Sequence, residues 1–98
     1  MIDCYNNIVV IYMHAKQYDK ALDAVEIALK RDPKNLKALI RNAKLHVLVA
    51  SSEKKLKLAD EAIKDAENAI CYKDKAEEVE IKKIRAQYKQ RRKQILGQ

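Results

Sequence analysis

The sequence predicts an all-helical chain, and three observations carry that prediction. The 98 residues include one glycine, one proline, no tryptophan and no phenylalanine, against abundant Ala, Leu, Ile, Lys and Glu. So few breakers among so many helix formers favour helix over most of the length. Ala21, Leu22, Val25, Ala28 and Leu29 recur at three- and four-residue steps, which draws one apolar stripe on a helix. A similar stretch then returns over residues 59–70, where Ala62 and Ala69 repeat the spacing of seven between Ala21 and Ala28. An internal repeat of this kind points to stacked helical units. The length suits one small domain with one core.

In chain order, the first helix is expected over residues 3–16. Tyr5, Ile8, Val9, Val10, Ile11, Tyr12, Met13 and Ala15 cover most of its circumference, which is the pattern of a helix buried on several sides. Strand competes over residues 8–12, because Val and Ile are modest helix formers; the repeat context favours helix. With nothing before this helix to cover it, the expectation is that a further repeat or a second copy of the chain packs on its open side. Lys16 and Gln17 turn the chain into a second helix that runs to about Arg31, where Pro33 stops it. Proline has no N–H to donate and disfavours helix in the residue before it.

A third helix starts near Leu36 and carries Ala38, Leu39, Ile40, Ala43, Leu45, Val47 and Leu48. Its end is open: Ala50, Ser51 and Ser52 form a turn, or Ser52 caps the next helix with Glu53 in its first turn. The fourth helix is expected over residues 56–71 and a weak break over residues 73–76. A long last helix follows from Glu77 to about Leu96, with Val79, Ile81, Ile84, Tyr88 and Ile95 as a sparse apolar side and Gly97 as its end.

Charge is spread unevenly. The formal net charge is +7; residues 1–72 hold 12 basic and 10 acidic groups, residues 73–98 hold 9 and 4, and from Lys82 onward there are seven basic residues and no acidic one. Cys4 and Cys71 form no C-x-x-C pair and read as free thiols of an intracellular protein, with a disulfide as the alternative. The longest apolar run is far too short to span a membrane, and nothing resembles a signal peptide. His14 and His46 have no second ligand at metal spacing, so no metal site is expected. There is no glycine-rich phosphate loop, no nucleophile–base pair and no carboxylate pair in an apolar setting. Neither catalysis nor a cofactor is expected of this chain.

The first two helices resemble a tetratricopeptide repeat, a 34-residue helix–turn–helix with fixed small and large apolar positions and a closing proline. Tyr5, Ile8, Tyr12, Tyr18, Ala21, Val25, Ala28 and Pro33 fall on its positions without a gap, although Val9 stands where the family has a small residue. Residues 36–76 resemble a second repeat through Ala38, Leu39, Ala43, Ala62 and Ala69. That repeat carries about seven extra residues near 51–58, as loop or as helix, and Asp74 stands in place of the proline. The resemblance implies a helix–turn–helix solenoid: repeats at 2–35 and 36–76, and a basic helix over 77–98 as the solvating cap that such arrays need.

Within the family the chain looks like the repeat domains of cytosolic co-chaperones. K-A-L-I-R at 37–41 after D-P-K-N, and C-Y-N-N-I near the start, carry that likeness; the long basic last helix resembles the tail of FKBP-type immunophilins. The likeness implies a cytoplasmic protein-binding module. Its parent would carry any peptidyl-prolyl isomerase domain outside this chain. Its partner would be the Glu-Glu-Val-Asp C-terminus of a heat-shock chaperone, gripped by a partial carboxylate clamp at Asn7, Lys37 and Arg41.

The clamp also has a physical logic. Lys37 and Arg41 lie one turn apart on one helix face, and an Arg can hold a carboxylate by two parallel bonds. Each such charge-assisted contact is worth roughly 1.5–3 kcal/mol. The competing explanation is that both are ordinary solvated charges; Asn6 reads as a solvent-facing or capping residue. The run K-K-I-R-A-Q-Y-K-Q-R-R-K at 82–93 has three readings: a solvated helix extension, a site for calmodulin or another acidic partner, or contact with nucleic acid or anionic membrane. Tyr88 alone interrupts it, which makes a poor base-stacking platform.

Overall fold

Among the described residues the chain forms five helices: α1 (Ile2–His14), α2 (Tyr18–Arg31), α3 (Leu36–Val49), α4 (Glu53–Ala69) and α5 (Lys75–Leu96). The computed structural model describes residues 2–70 and 75–97, with side chains from Asn7 onward, and no strand occurs among them. The expectations for Cys71, Asp74 and the start of the 73–76 break, and for the side chains of Cys4, Tyr5 and Asn6, lie outside the described residues. Three-residue connections, 15–17 and 50–52, join α1 to α2 and α3 to α4, short enough to make each pair antiparallel neighbours. α2 also packs on α3, α1 touches α3 lightly, and α5 lies against both α3 and α4.

The helix ends follow local chemistry. α1 stops in a left-handed residue: Lys16 has φ 60°. The Gln17 N–H donates to the Tyr12 carbonyl at 2.8 Å and the Lys16 N–H to the Met13 carbonyl at 3.1 Å, the paired bonds of a Schellman motif. α2 ends at Asp32, extended at φ −143° and ψ 86° as the residue before a proline must be. The turn through Pro33 closes with the Asn35 N–H donating to the Asp32 carbonyl at 3.1 Å. Asn35 then caps α3, its Oδ1 accepting from the Ala38 N–H at 3.0 Å. Ser52 caps α4 through the Lys55 N–H at 3.4 Å, with Glu53 in the first turn. Of the two readings of residues 50–52, the capping one holds, and α4 begins three residues before Leu56. α5 begins at Lys75 rather than Glu77, and Gly97 follows it at φ 74°.

Burial fixes the register between the two helix pairs. α2 buries Ala21, Ala24, Val25 and Ala28, while α4 buries Leu56, Ala59, Ala62, Ile63 and Ala66. The patterns A-x-x-A-V-x-x-A and A-x-x-A-I-x-x-A superpose with Ala59 at the position of Ala21 and Ala66 at that of Ala28. Ala62 and Ala69, expected there, are displaced by one turn, and Ala69 is only half-buried. Both alanine pairs have the spacing of seven, so spacing alone cannot choose; the β-branched Val25 and Ile63 between them do. The extra length of the second pair is helix at the start of α4, not loop.

Two apolar clusters make the core, and α3 feeds both. Leu39, Ile40, Ala43 and Val47 pack with Ala59, Ala62, Ile63 and Ala66 of α4 and with Ile81 and Ile84 of α5. Leu45 points the other way, into Val9, Ala21, Ala24 and Val25. Leu29 touches both clusters. Alanines at the crossings let the helix backbones approach closely, and the larger Val9, Val25, Leu45 and Ile63, all fully buried, fill the space between. Val9, at the position where the resemblance called for a small residue, is accommodated at full burial.

α5 is tied down by arginines as well as by Ile81 and Ile84. Arg85 donates through Nη1 to Asp60 Oδ1 and through Nη2 to Glu67 Oε1, both at 2.6 Å, and its guanidinium lies 5.8 Å from the Tyr88 ring centre. Arg91 donates through Nη2 to the Leu48 carbonyl at 2.6 Å and through Nε to the Val47 carbonyl at 3.4 Å. This cation supplies a donor to the Leu48 carbonyl, shares the Val47 carbonyl with the Ala50 N–H, and complements the dipole of α3.

Candidate functional site

Lys37, Arg41, Lys44 and Leu48 recur at steps of four, three and four along α3, so they share one face. That face lines an open groove of about 490 Å³. Val10, Met13 and His14 of α1, Tyr18 at the start of α2, Ile40 of α3, and Glu77 and Glu80 of α5 complete the lining. The helix packing explains this arrangement: α1 and α5 both flank α3, so the three together shape a trough with α3 at its base.

The clamp residues expected from sequence divide. Lys37 and Arg41 line the groove together, Lys37 exposed and Arg41 half-buried. Asn7 is exposed on α1, one turn before Val10, and is not part of the lining. Lys44 completes the cationic row; the three-residue step from Arg41 was a sufficient signal for it. Glu77 and Glu80 carried no such signal, because only the return of α5 against α3 brings them to the groove. None of Lys37, Arg41, Lys44, Glu77 or Glu80 makes an ion pair among the described residues. By contrast Glu78, between the two groove carboxylates, pairs with Lys82 at 3.4 Å.

The basic run at 82–93 is partly internal. Lys82, Arg85 and Arg91 have the partners given above, and Ile81 and Ile84 are buried. An acidic partner that wrapped this helix would first have to lift it from α3 and α4. Lys83, Lys89, Arg92 and Lys93 remain on its exposed side. Val79, expected on the apolar side, is 53% exposed.

Asp60 and His46, both outside the groove, are shifted downward. The Arg85 hydrogen bond holds the Asp60 carboxyl below its usual range against the opposing effect of burial, and Lys64 at 3.2 Å adds to it. Burial pushes the His46 imidazole below its usual value, and Glu26 pulls weakly the other way. Among the described residues no group of three or more His, Cys, Asp or Glu side chains could hold a metal ion, and no helix is long and apolar enough to cross a membrane.

No family model, no curated protein and no solved structure matches the chain.

Proposed function

We propose that the chain is a protein-binding module of tetratricopeptide-repeat type, in which the trough over α3 docks the acidic C-terminal peptide of a heat-shock chaperone. One observation carries the reading: Lys37, Arg41 and Lys44 stand in a row, without ion-pair partners among the described residues, beside an apolar strip of Val10, Met13 and Ile40. A terminal carboxylate needs several N–H donors held close together. A preceding apolar residue needs a strip of this kind next to them. The helix order supports the repeat reading: two helix pairs joined by similar short connections, the second repeating the burial pattern of the first, and a longer helix closing the series. In this role the chain binds and does not catalyse.

Calorimetry with a Glu-Glu-Val-Asp peptide tests it, comparing the free acid with the C-terminal amide. The acid is expected to bind weakly and at least tenfold more tightly than the amide, a difference of about 1.4 kcal/mol. Lys37→Ala or Arg41→Glu should remove that preference. Equal binding of acid and amide, or of neither, would leave a helical scaffold whose partner recognises some other feature.

A further inference from the structure

The excess positive charge of the chain gathers at one end of the helix bundle. α3 ends, α4 begins and α5 finishes there: Arg91 donates to the Val47 and Leu48 carbonyls at the close of α3, and only residues 50–52 separate α3 from α4. Residues 50–59 and 86–97 together hold seven Lys and Arg and one Glu, a net of +6 out of the formal +7 of the whole chain. In sequence these are two separate short runs, and the fold joins them. Arg91 is engaged by the α3 carbonyls. The others, Lys54, Lys55, Lys57, Lys89, Arg92 and Lys93, are exposed and make no ion pair among the described residues. Like charges gathered in this way repel one another and destabilise the compact state, so packing does not account for them. An anionic partner does.

Two exposed leucines lie among these cations. Leu58 is 47% exposed and follows Lys54 and Lys55 by four and three residues; Leu96 is 41% exposed and follows Arg92 and Lys93 by the same steps. Each leucine therefore shares a helix face with two cations. We propose that this end of the bundle binds the surface of an anionic lipid bilayer, with Leu58 and Leu96 entering the boundary between headgroups and acyl chains and the cations resting on the negative headgroups. A cation on a long apolar stem suits that layer, because the stem lies beside the inserted leucine while the charge stays at headgroup level. A nucleic acid offers the same negative charge but no apolar layer to receive the leucines. The one aromatic side chain in these two stretches, Tyr88, is half-buried against the core rather than free to stack on bases. Contact with a surface also leaves α5 packed on α3 and α4. The contact is peripheral: no helix among the described residues is long and apolar enough to cross a bilayer. None of these cations or leucines lines the groove, so membrane contact and peptide docking are separate properties.

The test is co-sedimentation of the chain with vesicles of phosphatidylcholine alone or with about one-third phosphatidylserine, beside fluorescence anisotropy with a labelled single-stranded RNA at the same ionic strength. Binding is expected to the phosphatidylserine vesicles and not to phosphatidylcholine alone, and it should fall as salt rises. Each Lys or Arg near an anionic leaflet is worth about fivefold in binding, so Lys57→Gln/Arg92→Gln/Lys93→Gln should bind at least about fiftyfold more weakly. Leu58→Gln/Leu96→Gln keeps every charge and should weaken vesicle binding roughly tenfold. All of these side chains are exposed, so circular dichroism should be unchanged in both variants, and the acid-over-amide preference proposed for the groove should survive in both. Failure to bind the phosphatidylserine vesicles would overturn the membrane proposal. Undiminished vesicle binding by the leucine variant would overturn it too, by leaving a site of charge alone. Tighter binding of the RNA than of the vesicles would overturn it in favour of a nucleic-acid ligand.

Discussion

The two helix pairs use the same burial pattern, but only the second is enclosed. α3 is covered by α2, both α3 and α4 are covered by α5, and their cluster draws residues from three helices. α1 is covered by α2 and a little of α3. The consequence shows in single side chains: Val9 is fully buried, while Ile11, two residues on, is 64% exposed and Ile8 is 38% exposed. An amphipathic pattern buries what its neighbours cover. The nearly all-round apolar surface of α1 therefore records a demand for cover that this chain meets on one side only. The second pair is in addition tied to α5 by charge, through Arg85 on Asp60 and Glu67 of α4.

The largest effects are expected from the two largest of the fully buried side chains, one in each cluster. Leu45→Ala and Ile63→Ala should each cost about 2–5 kcal/mol in denaturant unfolding. Leu45 belongs to α3 but fills the cluster of the first pair, so its loss should loosen α1 and α2 while α3 and α4 keep their protected amides. Equal loss of protection everywhere after Leu45→Ala would mean that the two pairs do not differ in cooperativity.

A smaller effect, about 1 kcal/mol, is expected of Arg85→Met, because the ion pairs it removes are partly exposed. The pH dependence identifies the cause. Asp60 titrates below its usual value when folded, so its stabilisation is fully present above the ordinary carboxylate range and disappears as pH falls through the lower, folded value. Arg85→Met should flatten that acid limb. His46 acts in the same direction in a higher window. Its folded value is also depressed, so stability declines as pH drops below about 6.5, and only a His46 substitution should remove that part.

The smallest effect on folding is expected at the bare face. Ile11→Gln should change unfolding by less than about 0.5 kcal/mol, as surface substitutions do. Pairing of two copies through α1, the expectation from the sequence, would appear as an unfolding temperature that rises with protein concentration, and Ile11→Gln should remove the rise.

What was legible in the sequence followed from short-range periodicity. The bounds of α2 and the start of α3 are set by apolar steps, Pro33 and a cap, all of which lie within a few residues of each other. The all-helical class rests on the same kind of information. Two things were not legible. The register of α4 was ambiguous because Ala59, Ala62, Ala66 and Ala69 offer two sevenfold spacings, and the choice is made by where Ile63 fits against α3. The α5 part of the groove lining was hidden because Glu77 and Glu80 lie on another helix, more than thirty residues from Lys37 and Arg41 along the chain. A charge row on one helix can be read by counting, but a site shared by two helices depends on how they pack. Arg85 and Arg91 show the same limit from the other side: in sequence they belong to a basic run, and in the fold they hold that run in place.

The position of α3 between two clusters bears on how the chain acquires its structure. Each helix packs chiefly on its neighbours in sequence, and the most distant regular partnership, α3 with α5, skips a single helix. Contacts of such short loop length incur little closure entropy, which favours rapid folding. Either pair can then take shape before the other. Leu45 and Leu39 on one helix make the two events converge, because α3 must settle against both neighbours before either cluster is complete.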